Sequence, residues 1–246
     1  MKSKKFWNWS DVLNKDGVLE ERILTLDGTI AEESWFDDDV TPELFKKELN
    51  KGSGPISVWI NSPGGDCIAA SQIYSALVDY PGKVTIKIDG IAASAASVIA
   101  MAGDEVLMAR TASMMIHNPL TMAWGNKKDF EQAIQMLESV KESIINAYRK
   151  KTNLSRNEIS ELMDNETWMD ATYAMKKGFA DGVLERRTEP DDVNKSKSKN
   201  AMMFSRKAVA VALFEKIAPK VEPEPEPVMY KASDLLQEIK ELKKTF

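Results

Sequence analysis

The sequence predicts an α/β fold in which helices cover a largely parallel β-sheet, followed by a helical or disordered C-terminal extension. Segments with strand and helix patterning alternate between about residues 20 and 186, and strands joined by helices pair in parallel. An apolar content of 43% in 246 residues supplies one substantial core with an appendage. Beyond about residue 186 the chain becomes polar and charged. We therefore expect an N-terminal segment (1–19), one folded domain (20–186) and an extension (187–246).

The sequence of the first half of the domain predicts three strands separated by helices. Short alternating or wholly apolar runs, bounded by turn residues, predict strands at 22–30, 56–61 and 83–90. A threonine cap followed by proline starts a helix over 41–50, and apolar residues at helical spacing predict a second helix over 67–79. The alanine-rich stretch Asp89–Gly103 carries the last of these strands into a third helix.

The second half continues the alternation with further strands and helices. Strands are predicted at 105–109 and 112–119, and a long amphipathic helix at 127–151. A serine and a glutamate three residues later, at 155 and 158, form a capping box that starts the next helix. Residues 168–185 predict a helix that stops at Gly178, followed by a closing strand.

The C-terminal extension combines a linker, a spacer and two short helices. The linker is polar and charged, and the Pro/Glu-rich spacer favours an extended chain. Apolar residues at helical spacing predict short helices at 202–218 and 233–244.

Composition excludes several kinds of function. A net charge of −5 and a pI of about 5.2 argue against a dedicated nucleic-acid binder, because phosphate contacts need a basic face. The single cysteine, Cys67, allows neither an internal disulfide nor a cysteine-based zinc cluster. The single histidine, His117, excludes a multi-histidine metal site, so we expect no metal, and any histidine base has to be His117.

The cellular location is predicted from the lack of a signal-peptide pattern and of a membrane-spanning pattern in the sequence. The N-terminus carries lysines without an apolar run, so we expect no signal peptide. No stretch approaches the roughly 20 apolar residues of a membrane span. Together with the lack of disulfides, these features favour the reducing cytoplasm.

The alanine-rich stretch surrounds one serine, Ser94, at the point where the strand pattern gives way to a helix pattern. The first N–H groups of a helix lack intrahelical partners, and a serine nucleophile needs such donors for its oxyanion as well as a base. The SPGG turn at the end of the preceding strand offers a second N–H at Gly65, and His117 ends another strand. The carboxyl ends of parallel strands share one edge, so these residues are candidates for one site.

Each candidate also fits a purely structural role. Ser94 is small enough to be a core residue, and His117 before Asn-Pro fits a buried histidine that donates to a carbonyl. The two glycines can form only a tight turn, with Ser62 as its cap. Ser97 competes with Ser94 as a nucleophile but lies deeper in the helix, and Cys67 fits a small buried hydrophobic residue.

Three motifs in order, INSPGGD, GIAASAAS and MMIHNPL, resemble the Clp-type serine protease family (peptidase S14) over about residues 20–185. The stretches KFWNW, GTIAEESWF and ETWMDA resemble its phage branch, the Clp-like head maturation (prohead) proteases. The resemblance implies a crotonase-like ββα superhelix and a serine endopeptidase without cofactor. It assigns Ser94 as the nucleophile, His117 as the general base, and the backbone N–H groups of Gly65 and Ala95 as the oxyanion hole.

The acidic member of the implied triad departs from the family pattern. The family's acid lies twelve residues before a glycine, and counting back from Gly178 reaches Glu166 rather than an aspartate. A glutamate orients the histidine in some hydrolases with a Ser-His-Glu triad. Glu166 is therefore the first candidate, Asp170 the second and Asp164 the third. At least two of the three are expected to be solvated charges that cap helices.

The resemblance also implies an assembly and a substrate. A family helix comparable to 127–151 stacks rings of subunits, which predicts a ring homo-oligomer, either a heptamer or a double heptamer. The residues alone favour packing of this helix on its own sheet. The expected substrates are phage capsid or scaffold precursors, cleaved in the bacterial host cytoplasm or within the procapsid, with or without an ATPase partner.

Three other functions stay open. A crotonase-fold enzyme acting on a thioester would use the oxyanion hole without a serine nucleophile. A hydrolase with a Ser-Lys pair would use a lysine in place of His117. An inactive assembly or scaffold protein would retain only the fold.

Overall fold

The computed structural model describes residues 5–13, 16–17, 19–30 and 42–184, whose strands form one eight-stranded sheet. The predicted extension (187–246) and the predicted cap Thr41 lie outside these residues. Within the described ranges, no helix is long and apolar enough to cross a membrane. In the same ranges, no group of three or more His, Cys, Asp or Glu side chains is arranged to hold a metal ion.

The sheet is largely parallel, as the sequence predicts. Five of its seven strand pairings are parallel, and only the two pairings β1–β2 and β6–β7 are antiparallel. The strands are β1 (Trp7–Leu13), β2 (Leu19–Asp27), β3 (Ile56–Ser62), β4 (Val84–Ala93), β5 (Glu105–Met108), β6 (Ser113–Ile116), β7 (Thr167–Asp170) and β8 (Gly182–Val183). The helices are α1 (Pro42–Leu49), α2 (Cys67–Val78), α3 (Ala95–Ala100), α4 (Lys127–Lys151), α5 (Arg156–Asp164) and α6 (Ala171–Lys177).

The core lies between the central strands and the helices that follow them. β3 and β4 turn one row of β-branched side chains toward the helices, and Val58, Ile60, Ile86 and Ile88 are fully buried there. Small residues on α2, including Ala69 and Ala70, let that helix approach closely. Complete burial of each large aliphatic side chain stabilises the fold by about 1.5–3 kcal/mol.

Strand β4 is ten residues long and pairs with two different neighbours along its length. Residues 85–88 pair with β5, whereas residues 91–93 pair with β6. Gly90 lies between the two stretches, and a Cβ atom there would lie 2.4 Å from the Asn61 side-chain oxygen. The division of β4 brings β6 alongside its C-terminal end, where the candidate serine follows.

Several helix ends agree with the signals in the sequence. Helix α4 spans Lys127–Lys151, the range predicted, and the Ser155–Glu158 capping box starts α5. Gly178 adopts a left-handed conformation (φ 82°) and ends α6. Glycine is favoured there because it has no Cβ to clash in that conformation.

Two segments differ from the prediction. Residues 168–170, predicted as the start of a helix, belong to β7, and the helix begins only at Ala171. Four residues are too few to reveal a period, and pairing with β6 decides their conformation. Within the N-terminal segment, Trp7–Leu13 forms the edge strand β1, to which the sequence analysis assigned no structure.

Candidate active site

Ser94 and His117 lie side by side at the edge of the sheet where β4 and β6 end. Ala93 is paired with Met115 in the parallel β4–β6 ladder, and the Ser94 N–H donates to the Met115 carbonyl at 2.9 Å. Ser94 Oγ lies 2.7 Å from His117 Nε2, which is a hydrogen-bond distance. His117 is only 8% exposed. The two residues singled out in separate motifs thus share one hydrogen bond.

The backbone of Ser94 is strained at the turn from β4 into α3. Its φ of 53° and ψ of −125° lie in a region that residues with a side chain rarely adopt, at a cost on the order of 1–3 kcal/mol. Ser94 is the N-cap of α3, yet its side chain makes no capping hydrogen bond. The hydroxyl is instead directed to His117, as in the strained strand-to-helix turn of a nucleophile elbow.

The SPGG turn packs directly against this serine. A Cβ atom on Gly64 (φ 100°) would lie 2.7 Å from Ser94 Cβ and 3.0 Å from the Ala95 backbone nitrogen. A Cβ atom on Gly65 (φ 149°) would lie 2.2 Å from the Ile30 carbonyl oxygen. Both positions therefore require glycine. The Ser62 hydroxyl accepts the Gly64 N–H at 3.1 Å, which is the capping contact expected of it.

Two backbone N–H groups border the space beside Ser94. The Ile30 N–H donates to Gly64, and the Asp66 N–H donates to Ile30, so the alternation along an extended strand turns the Gly65 N–H to the β4 side. Ala95 is the first residue of α3, where a helix leaves its N–H groups without intrahelical acceptors. Among the described residues, neither of these two N–H groups donates to a backbone carbonyl.

Glu166 directly precedes β7 and lies opposite His117 when the β6–β7 pairing is continued by one residue. Ile116 is paired with Thr167, so extending this antiparallel register by one residue places His117 opposite Glu166. Glu166 is half-buried, has a positive φ of 45°, and accepts a long hydrogen bond of 3.4 Å from the Trp168 indole. Sequence counting could not reveal this register because it depends on β7, which was predicted as helix.

The other two carboxylates have different partners. Asp170 lies opposite Ser113, four positions or roughly 13 Å along the ladder from His117, and caps α6 by accepting the Tyr173 N–H at 2.7 Å. Asp164 accepts hydrogen bonds from Lys141 at 2.7 Å and from Asn118 at 2.8 Å. The Lys141 hydrogen bond, followed by that from Asn118, lowers the pKa of Asp164.

The remaining candidates occupy separate surroundings. Ser97 is fully buried, and its hydroxyl contacts the Ser94 carbonyl and the Tyr148 hydroxyl. Cys67 is half-buried, and burial, with a smaller contribution from Asp66, raises the pKa of its thiol to about 11. Sequence reasoning missed Tyr148, whose place in the apolar stripe of α4 gave no sign of a polar contact.

Helix α4 is buried along only half of its length. Its C-terminal half packs against the fold through four buried residues, Ile144, Ile145, Ala147 and Tyr148. Its N-terminal half exposes large apolar side chains, with Phe130 48%, Ile134 57% and Met136 49% exposed. The C-terminal half contacts mainly the helices α3 and α5, so the prediction that α4 packs directly on the sheet is not confirmed.

A serine paired with a histidine, beside backbone N–H groups at the edge of a helix-covered parallel sheet, is typical of serine hydrolases. The sequence profile of the Clp protease family matches residues 4–187. Two similar proteins are the ATP-dependent Clp protease proteolytic subunits 1 of Chlamydia muridarum (strain MoPn / Nigg) and Chlamydia pneumoniae. Each is 29% identical over 178 residues, covering 71% of this chain and 91% or 92% of the relative.

The chain therefore belongs to the Clp protease family. The family fold and the mixed α/β architecture expected from the motifs are confirmed. Members of this family are peptidases that act on protein substrates and assemble into rings.

Proposed function

We propose that this chain is a serine endopeptidase in which Ser94 is the nucleophile, His117 the general base and Glu166 the acid that orients it. The observation that carries the proposal is the 2.7 Å contact between Ser94 Oγ and His117 Nε2 at the N-terminus of α3. A serine hydroxyl becomes a useful nucleophile when an adjacent base accepts its proton. The structural alternatives for these residues do not require this contact.

The reaction follows from the positions of these groups. Ser94 Oγ attacks the carbonyl carbon of a peptide bond while His117 Nε2 takes the hydroxyl proton, and the carbonyl oxygen becomes an oxyanion. The N–H groups of Gly65 and Ala95 stabilise that oxyanion. His117 then protonates the leaving amine, and water, activated by the same imidazole, hydrolyses the acyl-enzyme. Loss of one oxyanion donor in such a site typically costs about 10²–10³-fold in rate.

Glu166 is the proposed third member because of its register and its backbone. The β6–β7 ladder leads to it opposite His117, whereas Asp170 caps α6 and Asp164 binds Lys141 and Asn118. In the described part of the chain, Ser94 and Glu166 are the two non-glycine residues with positive φ. Backbone strain of this kind concentrates at functional sites.

The active form is proposed to be a ring homo-oligomer, a heptamer or a double heptamer. Phe130 and Ile134 support this proposal, because they lie one turn apart on the N-terminal half of α4 and expose apolar surface of the kind that often marks an interface. A second copy of the same helix offers a self-complementary surface across a two-fold axis, which would stack two rings into the double heptamer. A monomer at micromolar concentration in light scattering would contradict the ring.

The proposed substrates are phage capsid or scaffold precursors, cleaved in the host cytoplasm or in the procapsid. Support for this choice comes from the stretches KFWNW, GTIAEESWF and ETWMDA, which resemble the phage branch of the family. The similar chlamydial proteins are named as subunits of ATP-dependent proteases. We propose that capsid assembly brings the substrate to the site, so that an ATPase partner is dispensable.

Mass spectrometry of a capsid precursor incubated with the protein tests this function. The wild type is expected to release defined fragments, and Ser94→Ala, which removes the nucleophile, is expected to release none. Ser97→Ala serves as a companion variant, because it keeps the Ser94–His117 pair, and it is expected to release the same fragments more slowly than the wild type. Equal fragmentation by wild type and Ser94→Ala would refute the proposal.

Cleavage by the His117→Ala variant would favour a lysine base. A folded wild type that leaves both the precursor and generic peptides intact would favour a scaffold protein. Turnover of an acyl thioester by both wild type and Ser94→Ala would favour a thioester-acting enzyme.

A further inference from the structure

Two buried hydroxyl groups connect α4 to the peptide group that follows Ser94. Ser97 Oγ lies 2.6 Å from the Ser94 carbonyl oxygen and 2.8 Å from the Tyr148 hydroxyl. Ser97 is fully buried and Tyr148 is 1% exposed. The mechanism proposed above uses neither side chain, although both lie directly behind the strained serine.

The direction of this hydrogen-bond chain follows from counting protons. A carbonyl oxygen can only accept a hydrogen bond, so Ser97 donates its single hydroxyl proton to the backbone carbonyl oxygen of Ser94. The Ser97 oxygen therefore accepts the proton of the Tyr148 hydroxyl. Burial raises the pKa of Tyr148 above its usual value, so the phenol stays protonated and remains a donor at neutral pH.

The carbonyl at the end of the chain belongs to the same peptide group as the Ala95 N–H. A hydrogen bond to the oxygen of an amide polarises the group and strengthens its N–H as a donor. The Ser94 oxygen accepts two such bonds, from the Ser97 N–H at 3.0 Å and from the Ser97 hydroxyl. These bonds also fix the plane of a peptide group that follows a strained residue.

We propose that Ser97 and Tyr148 are positioning residues for the oxyanion hole, holding and polarising the Ser94–Ala95 peptide so that its N–H meets the transition state. This inference rests on the proposed serine peptidase function. It assigns Ser97, the competing nucleophile of the sequence analysis, a part in the reaction without covalent chemistry. It also connects one residue of α4, Tyr148, to the geometry of the site through Ser97.

Steady-state cleavage of a fluorogenic peptide tests the inference with three variants. Ser97→Ala removes the bond to the carbonyl and is expected to lower kcat about 10-fold, which is less than the loss of a whole oxyanion donor. Tyr148→Phe removes only the outer bond and is expected to lower kcat about 3-fold. Because Tyr148 acts through Ser97, the double variant should match Ser97→Ala, and KM should stay unchanged in all three.

Tyr80→Phe is the matched control. It removes a tyrosine hydroxyl that donates to the Gly54 carbonyl at 2.9 Å, remote from Ser94 in the sequence and outside the proposed mechanism. The control should keep the wild-type kcat, while its thermal unfolding reports the cost of losing one such bond. Tyr148→Phe is nearly isosteric, so it keeps the test informative even when Ser97→Ala folds poorly.

Affinity for a peptide boronate separates positioning from a merely structural role. The boronate forms a tetrahedral adduct with Ser94 that places an oxygen in the oxyanion hole, so its Kd should rise by the same factor by which kcat falls. A wild type that cleaves peptides, with kcat and boronate affinity unchanged in both single variants, overturns this inference alone. A wild type that neither cleaves peptides nor binds the boronate overturns the proposed function and this inference together.

Discussion

Gly64→Ala places a methyl group between the SPGG turn and Ser94. The new Cβ atom would lie 2.7 Å from both Ser94 Cβ and the Ala93 carbonyl oxygen, whereas non-bonded carbon atoms prefer about 3.5–4.0 Å. The atoms that meet the new methyl group are the Ala93 carbonyl oxygen, Ser94 Cβ and the Ala95 nitrogen. None of them moves when a side chain rotates, so rotation cannot relieve the contact. Overpacking of this kind costs about 1–3 kcal/mol of unfolding free energy, in addition to about 1–3 kcal/mol for an alanine at positive φ.

The same substitution should impair acylation more than it impairs folding. A displacement of the reacting groups by about 1 Å lowers the rate of a positioned reaction by roughly 10²-fold. We therefore expect fluorophosphonate labelling of Gly64→Ala to be about 100-fold slower than labelling of the wild type. The rate is measured by intact-protein mass spectrometry, and the free energy of unfolding by urea titration.

Gly54→Ala is the control for the conformational cost. Gly54 has nearly the same φ, 95° against 100°, and a Cβ atom there would meet nothing within 4 Å. The Gly54→Ala variant should lose unfolding free energy only through the cost of an alanine at positive φ, and the fluorophosphonate should label it at the wild-type rate. Labelling of Gly64→Ala at the wild-type rate would refute the argument that the SPGG turn sets the position of Ser94.

Three further predictions concern the acid, the ring and the cysteine. Glu166→Gln should lower kcat by roughly 10²–10⁴-fold. Asp170→Ala should keep kcat and lose about 1 kcal/mol of stability, and Asp164→Asn should keep at least a tenth of kcat. A large loss of kcat only in an aspartate variant would assign the role of the acid to that aspartate. Ile134→Glu should convert the oligomer to smaller species in sedimentation velocity. An unchanged oligomer would show that the exposed α4 face at Ile134 is not part of the interface. Burial raises the pKa of the Cys67 thiol to about 11, so its alkylation by iodoacetamide should be slow near neutral pH and become faster as the pH rises through that value. A rise of the alkylation rate centred near pH 8–9 would instead show an ordinary thiol.

Local patterns in the sequence made Ser94 and His117 candidates for one site, and the resemblance of three motifs to the Clp-type serine proteases assigned them as nucleophile and base. Ser94 sits between a strand and a helix, and His117 closes an apolar strand. Parallel strands joined by helices bring their carboxyl ends to one edge, so the two patterns point to one place. The hydrogen-bond distance itself depends on the β4–β6 register, which no local pattern specifies.

Other parts of the site depend on contacts between distant segments. The four residues of β7 carry too little periodicity to be told from a helix start, yet their pairing with β6 brings Glu166 opposite His117. Tyr148 lies 51 positions from Ser97 and reads as one more member of an amphipathic stripe. The exposed half of α4 could not be separated from its buried half, because apolar residues recur at helical spacing along both.

Peptide mapping after treatment with a fluorophosphonate tests the nucleophile–base pair most directly. Fragment spectra of the Ala-rich peptide distinguish Ser94 from Ser97 as the site of the adduct. We expect one adduct per chain on Ser94 Oγ, no adduct in Ser94→Ala, and labelling slowed by at least about 10²-fold in His117→Ala. An adduct on Ser97, or wild-type labelling in His117→Ala, would contradict the account.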